Sequence, residues 1–243
     1  MYRKAALLLI LILASLGLYL ACAKPNVVIF AFDKDFPPFS FVEDGRFTGF
    51  DLEVLTAVLA RKGLHIVIRP LSWQEALKQL ERGEVNVVSA MDKTVERLER
   101  YTFPATAYIE YRLNLFVGRN SRIRSVADLK HKRVATQKST TYSDYLRGID
   151  GVNIHLYETE LEAIEALKKG KVDAYVGAFE VAAYYLKKTG WDGLRVINPP
   201  LQVTSMYFAV KKGDERLANY IDEGLAEIKQ RGIYGRIYKR WFY

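Results

Sequence analysis

Few residues in this 243-residue chain are spaced for covalent chemistry. The three histidines, His65, His131 and His155, lie far apart on strand or loop positions, so no metal-ligand spacing is present. Cys22 is the single cysteine, which excludes an intramolecular disulfide and a thiolate metal cage. Glu180 can serve as a general acid in a cleft, yet it also suits a helix start, and no nucleophile–base pair stands beside it. What remains is a set of residues fit for holding a small molecule. Asp33 can take an ammonium or hydroxyl donor, or cap the turn before Pro37 and Pro38. Trp73 can wall a ligand or join the core. Ser139, Thr140 and Thr141 read as a helix N-cap. Residues 89–92 and 177–180 leave two strands of matching pattern, at the ends where parallel α/β sheets bind their ligands.

Those two strands belong to an internal repeat. Residues 72–83 (SWQEALKQLERG) and 159–170 (TELEAIEALKKG) align without a gap at an offset of 87 residues. Each opens on a capping box, Ser72 with Glu75 and Thr159 with Glu162. Leu77 and Leu80 match Ile164 and Leu167 on the apolar stripe, and Gly83 matches Gly170 as a helix stop. Strands are predicted before each box at 65–68 and 152–155, and after each glycine at 85–88 and 172–175. The chain therefore writes strand–helix–strand twice, a unit that makes a parallel pair with a right-handed crossover. Further strands are expected at 27–31, 111–117, 133–135 and 205–210. Helices are expected at 50–62, in a turn at 128–129, and at 214–230 and 232 onward. Crossings near 112–118 and 204–211 would form a hinge between two lobes, with the ligand loops on opposite walls of one cleft.

The first residues bear on compartment. Arg3 and Lys4 precede an apolar run at 7–20, too short to span a bilayer, and Ala21-Cys22-Ala23 follows as a small-x-small cleavage pattern. Loss of residues 1–23 is expected to remove two of the eight net positive charges. An uncleaved anchor and lipidation of Cys22 are alternatives, the latter weakened by Tyr19 where a lipoprotein signal wants an aliphatic residue. Half the residues are hydrophobic and 26% are charged, as in an ordinary globular protein. The cations are scattered rather than gathered in a stripe, so no nucleic-acid partner is expected.

Several segments, taken in order, resemble the family 3 extracellular solute-binding proteins. They are Asp33 to Phe41 (DKDFPPFSF), Asp44-Gly45, Gly49 to Leu52 (GFDL), Trp73, Gly83 to Asn86 (GEVN) and Ala90 to Arg97 (AMDKTVER). Asp128-Leu129-Lys130, Val134 to Thr141, Lys171 to Gly177 (KVDAYVG) and a last helix reaching Trp241 continue the series. The wording around 83–97 and 171–186 is also similar to the family's Venus-flytrap sensor domains, although no output domain is expected beyond Tyr243. The resemblance implies an α/β fold, a two-lobed type II clamshell with the ligand cleft between lobes. Its expected boundaries are a signal peptide at 1–23, lobe 1 at 24–112 with 210–243, and lobe 2 at 113–209.

The same resemblance assigns roles. Arg97 would clamp a ligand carboxylate with its planar guanidinium; otherwise it is a surface helix residue beside Glu96. Thr140 and Thr141 match positions whose backbone N–H groups meet that carboxylate. Phe36 and Trp73 match aromatic walls, and Ala90 lies on the segment leading to Arg97. Two departures stand out. Ala178 occupies the place where amino-acid binders carry an aspartate for the ammonium group, with Glu180 as a nearby substitute. Asp92 stands where the family places Ser or Thr, so it would repel an anion unless Arg97 or a lysine offsets it, or unless it receives a cation. The expected function is capture of a carboxylate-bearing solute, an amino acid or related acid, outside the cytoplasm by a monomer that delivers it to the permease of an ABC transporter. No cofactor is implied. A periplasmic dehydratase of prephenate-like acids and a ligand-sensing subunit are the competing readings.

Overall fold

The computed structural model describes residues 27–242. The export signal over 1–23, its cleavage and the lipidation of Cys22 lie outside those residues. β1 (Val27–Asp33) is an apolar run buried from Phe30 onward, the pattern of a strand covered on both faces. A small antiparallel sheet follows, β2 (Asp35–Phe36), β3 (Ser40–Glu43) and β4 (Arg46–Thr48), which the sequence periodicity does not announce. Then come α1 (Phe50–Ala60), β5 (His65–Leu71), α2 (Trp73–Arg82), β6 (Val87–Met91), α3 (Val95–Arg100) and β7 (Tyr101–Thr102). β8 (Ile109–Gly118) leads through a 3-10 turn (Val126–Leu129) to β9 (Arg133–Gln137), α4 (Thr141–Arg147), β10 (Asn153–Tyr157), α5 (Glu160–Lys168), β11 (Ala174–Ala178) and α6 (Phe179–Thr189). β12 (Leu194–Lys211), α7 (Glu215–Gln230) and α8 (Ile233–Phe242) complete the chain.

The repeat units fold alike on two halves of the structure. In one half β1 pairs in parallel with β5 and β6; in the other, β9 pairs in parallel with β10 and β11. β12 joins the halves, pairing antiparallel with β8 over Leu194–Met206 and then with β6 over Tyr207–Val210. One hydrogen-bonded path therefore runs through eight of the sheet's nine strands, with the repeat units at its two ends and β7 branching from β12. The β8–β12 ladder slips between Ile197 and Gln202, where Pro199 and Pro200 have no N–H to donate. These paired strands are the expected crossings, and the fold is the two-lobed α/β clamshell.

Equivalent positions do equivalent work. Ser72 Oγ accepts from Glu75 N at 3.4 Å, and Thr159 Oγ1 accepts from Glu162 N at 3.1 Å. Only half of each capping box forms, because Glu162 accepts from Glu158 N and Glu75 accepts from Gln79. Gly83 and Gly170 end the two helical segments at φ 71° and 66°, a left-handed conformation that favours glycine. Both following strands start two residues later than the periodicity predicts. Asn86 and Asp173, 87 residues apart, explain the delay. Asn86 Oδ1 accepts from Ile29 N at 2.7 Å and Asp173 Oδ2 from Arg133 N at 2.9 Å, each stitching the chain to a neighbouring strand before pairing begins. Ala76 and Leu80 of α2 pack on Ala31 and Val88, while Ala163 and Leu167 of α5 pack on Ala135 and Tyr175. Burial of such a leucine contributes about 1.5–3 kcal/mol.

Candidate functional site

A cavity opens between the halves, at the carboxyl ends of β1, β6 and β9, with about 420 Å³ of space between its walls. Eight of the nine residues singled out from the sequence line it: Asp33, Phe36, Trp73, Ala90, Asp92, Arg97, Thr140 and Thr141. Arg97 arrives there because Thr94 caps α3, its Oγ1 accepting from Arg97 N at 3.2 Å. The guanidinium pairs with Asp92, the first residue past β6, and lies 5.7 Å from the Trp73 ring centroid. Both side chains of that pair are 12% exposed.

The remaining wall is held from behind. Ala90 has φ 59°, unusual for a residue with a Cβ. Its N–H donates to Tyr108 Oη at 3.1 Å, and its carbonyl accepts from Tyr111 Oη at 3.2 Å. Phe36 stacks on Phe39 and meets Tyr111 with ring centroids 5.9 Å apart. Asp33 accepts from Asp35 N through Oδ1 at 3.1 Å and from Gln137 Nε2 through Oδ2 at 2.9 Å. Burial pushes the Asp33 carboxyl up to about 6 despite those two donors. Behind the wall lie two further buried acids. Asp51 is raised to about 7 by burial, opposed by the hydroxyls of Ser89 and Tyr108. Glu160 is raised to about 8 by burial, with Ala178 N donating to it at 3.4 Å.

Bonds cross the cavity from one half to the other. Trp73 Nε1–H donates to Ser139 O at 2.8 Å, and Gln74 Nε2 donates to Ser139 Oγ at 3.1 Å. The Gln137–Asp33 bond is a third bridge. Thr140 Oγ1 donates to Gln137 O at 2.8 Å, tying the start of α4 to the end of β9.

Glu180 is the exception. It lies on a separate open cleft, where its Oε1 accepts from Arg112 Nε at 2.9 Å and Arg112 sits 4.0 Å from the Phe179 ring centroid. Neighbouring residues on a strand face opposite ways, so β8 turns Tyr111 toward the cavity and Arg112 away, and Glu180 follows Arg112. The position expected to substitute for the absent aspartate is thus elsewhere. Ala178 is fully buried and leaves no side-chain acceptor in its place.

Ser89 lines the wall as part of the expected loop at 89–92, and four wall residues escaped the sequence reading: Tyr111, Gln137, Tyr142 and Met206. Gln137 ends a parallel strand and was open to the same rule that selected residues 89–92. Tyr111 and Met206 come from the crossing strands, and nothing local marks them. Among the described residues no group of three His, Cys, Asp or Glu side chains is placed to hold a metal ion. In its chemistry the cavity offers one cation, two carboxylates, several hydroxyl and amide donors, and aromatic walls.

The chain is similar in sequence and fold to known proteins. The sequence profile of the bacterial extracellular solute-binding proteins, family 3, matches residues 28–243. The chain is 27% identical over 231 residues to the L-cystine-binding protein TcyJ of Escherichia coli, covering 93% of this chain and 86% of that one. An ancestral arginine-binding protein bound to arginine superposes with a TM-score of 0.84 at 29% identity, covering 90% of this chain and 99% of its own. The ancestral amino-acid-binding protein AncCDT-1, a precursor of cyclohexadienyl dehydratase, superposes with a TM-score of 0.81 at 29% identity over 90% of this chain and 96% of its own.

Proposed function

We propose that this chain, which belongs to the bacterial extracellular solute-binding proteins of family 3, captures a small carboxylate-bearing solute, an amino acid or a related acid, and delivers it to the permease of an ABC-type transporter. The observation that carries this reading is Arg97, presented by the α3 cap into an aromatic-walled cavity between two halves of the molecule. Its planar fork matches a carboxylate bidentately. Thr140 and Thr141 add donors on the opposite half, and Phe36 and Trp73 flank the ligand.

Residues 24–112 with 210–243 act as one lobe and 113–209 as the other, with β8 and β12 as the hinge. Closure around the ligand makes the Trp73–Ser139 and Gln137–Asp33 bridges, so occupancy is converted into a shape that a membrane partner can recognise. The protein works as an exported monomer and needs no catalytic step. The dehydratase reading draws support from the AncCDT-1 likeness, but Glu180, the acid it would use, bonds Arg112 outside the cavity.

A thermal-shift screen of amino acids and small organic acids tests the proposal. A ligand at about 100 times its Kd stabilises the native state by about 2.7 kcal/mol. For a chain of this size that is a rise in Tm of roughly 5–10 °C. A screen in which no amino acid or carboxylic acid shifts the folded protein refutes it.

A further inference from the structure

We propose that Glu43, on the small β2–β4 sheet and outside the ligand cavity, is a positioning residue for closure: it latches one half of the molecule to α6 of the other and so sets how slowly a bound solute is released. The inference rests on the reading of the two halves as lobes that close on a ligand, and it concerns side chains that do not touch that ligand.

The latch is built from local sequence on both sides. Asp44 and Gly45 have φ 50° and 71°, the two-residue hairpin turn that Asp-Gly favours. They hold Glu43 opposite Arg46 at the tip of β3 and β4. Alternate residues of a strand share a face, so Phe41 and Glu43 point the same way. On α6, Tyr184 and Lys188 are four apart and share a face as well. The two pairs meet. The Phe41 ring packs edge-on against Tyr184 with centroids 5.4 Å apart, and Trp241 meets Phe41 at 6.0 Å. Glu43 Oε1 accepts from Tyr184 Oη at 3.1 Å and from Lys188 Nζ at 2.7 Å. The Lys188 ammonium, and after it the Tyr184 hydroxyl, hold the Glu43 carboxyl below its ordinary value.

Glu43, Tyr184 and Lys188 do not line the ligand cavity; they border the open cleft that Glu180 shares. The arginines of that cleft are engaged by other acids, Arg112 by Glu180 and Arg240 by Glu53. Glu43 is the acid that meets Lys188. The helix it grips is itself fixed to the crossing strand, because Glu180 also accepts from Arg112 N at 3.3 Å. The latch forms as the halves come together, after the ligand has entered, so its loss should speed release and leave capture alone. Both charged side chains are about half exposed, which keeps the effect modest.

Stopped-flow binding of L-arginine, L-histidine and L-cystine to the full chain tests the proposal. For whichever binds, Glu43→Ala should release it about three- to tenfold faster, the worth of one exposed ion pair and one hydrogen bond. Association should stay within about twofold of wild type. Glu43→Lys sets cation against cation and should release the ligand faster still. Adding Lys188→Glu to that chain should return the rate to within about twofold of wild type, which exchange of charges would not do for a general defect of folding. Unchanged release in Glu43→Ala overturns the proposal, as does a loss that the exchange does not repair. If none of the three amino acids binds the folded wild type, the amino-acid form of the capture reading fails, and the latch is read from small-angle X-ray scattering of the protein alone. A larger radius of gyration in Glu43→Lys than in wild type and the exchanged pair supports the latch; equal radii overturn it.

Discussion

Arg97→Ala should act on both the ligand and the empty protein, through the same ion pair. In the complex it removes the clamp from a ligand carboxylate held in a largely desolvated cavity, a loss of about 2–5 kcal/mol. At 1.4 kcal/mol per decade this is roughly a 30- to 4,000-fold rise in Kd. In the empty protein it strands Asp92. One-sided truncation of a fully buried pair costs about 3–5 kcal/mol. Here both side chains retain 12% exposure on a cavity wall, so a smaller loss of about 1–3 kcal/mol is expected. Asp92→Ala alone should destabilise for the mirror-image reason. The double variant removes both charges and should be more stable than the sum of the single losses predicts, by about 1–2 kcal/mol of coupling. Its affinity should stay low, because the clamp is still gone. Urea melts of the four proteins give the coupling, and calorimetry with the ligand found by screening gives the affinities. Binding within threefold of wild type in Arg97→Ala would refute the clamp. Strictly additive melts would refute the view that the pair is worth anything in the empty site.

Three more outcomes can be checked. Asp33, Asp51 and Glu160 are raised to about 6, 7 and 8 from ordinary values near 4, so between about pH 4 and pH 8 the native state holds protons that the unfolded chain has released. Stability should therefore fall as pH rises through that window, and Glu160→Gln should flatten the upper part of the fall; equal unfolding free energies from urea melts at pH 6 and pH 9 would count against a buried protonated Glu160. Gly177→Ala should lower stability by about 1–3 kcal/mol, since its Cβ would lie 2.0 Å from Tyr175 Oη and 2.3 Å from Glu160 Oε2; an unchanged denaturation midpoint would show that β11 and α5 are looser than they look. Trp73→Phe keeps the aromatic wall but removes the N–H that reaches Ser139 O at 2.8 Å, a bond of about 0.5–1.5 kcal/mol, so affinity should drop about two- to tenfold in a titration and not more than that.

The repeat was legible because it rests on local chemistry. The Ser72 and Thr159 caps, the glycines at 83 and 170, and the apolar stripes between them follow from propensity and period, and they set two strand–helix–strand units with their ligand loops at one end. Arg97 and Asp92 were legible as types at a spacing, and the family resemblance supplied the role. Their pairing was one of several alternatives open in the sequence, and the choice depends on how α3 swings Arg97 back over the end of β6. Glu180 was misplaced for a related reason. A residue two past a strand end can follow the loop into the cavity or the new helix away from it, and the choice was settled by Arg112 on the outward face of β8. The small β2–β4 sheet is too short for its period to show. Tyr111 and Met206 come to the wall only because β8 and β12 cross between the halves side by side. Helix caps and strand faces are decided within a few residues, and the sequence determines them alone. Which side chains meet across a cavity is decided by contacts between segments far apart in the chain, such as the 66 residues between Trp73 and Ser139, and only the tertiary structure brings them together.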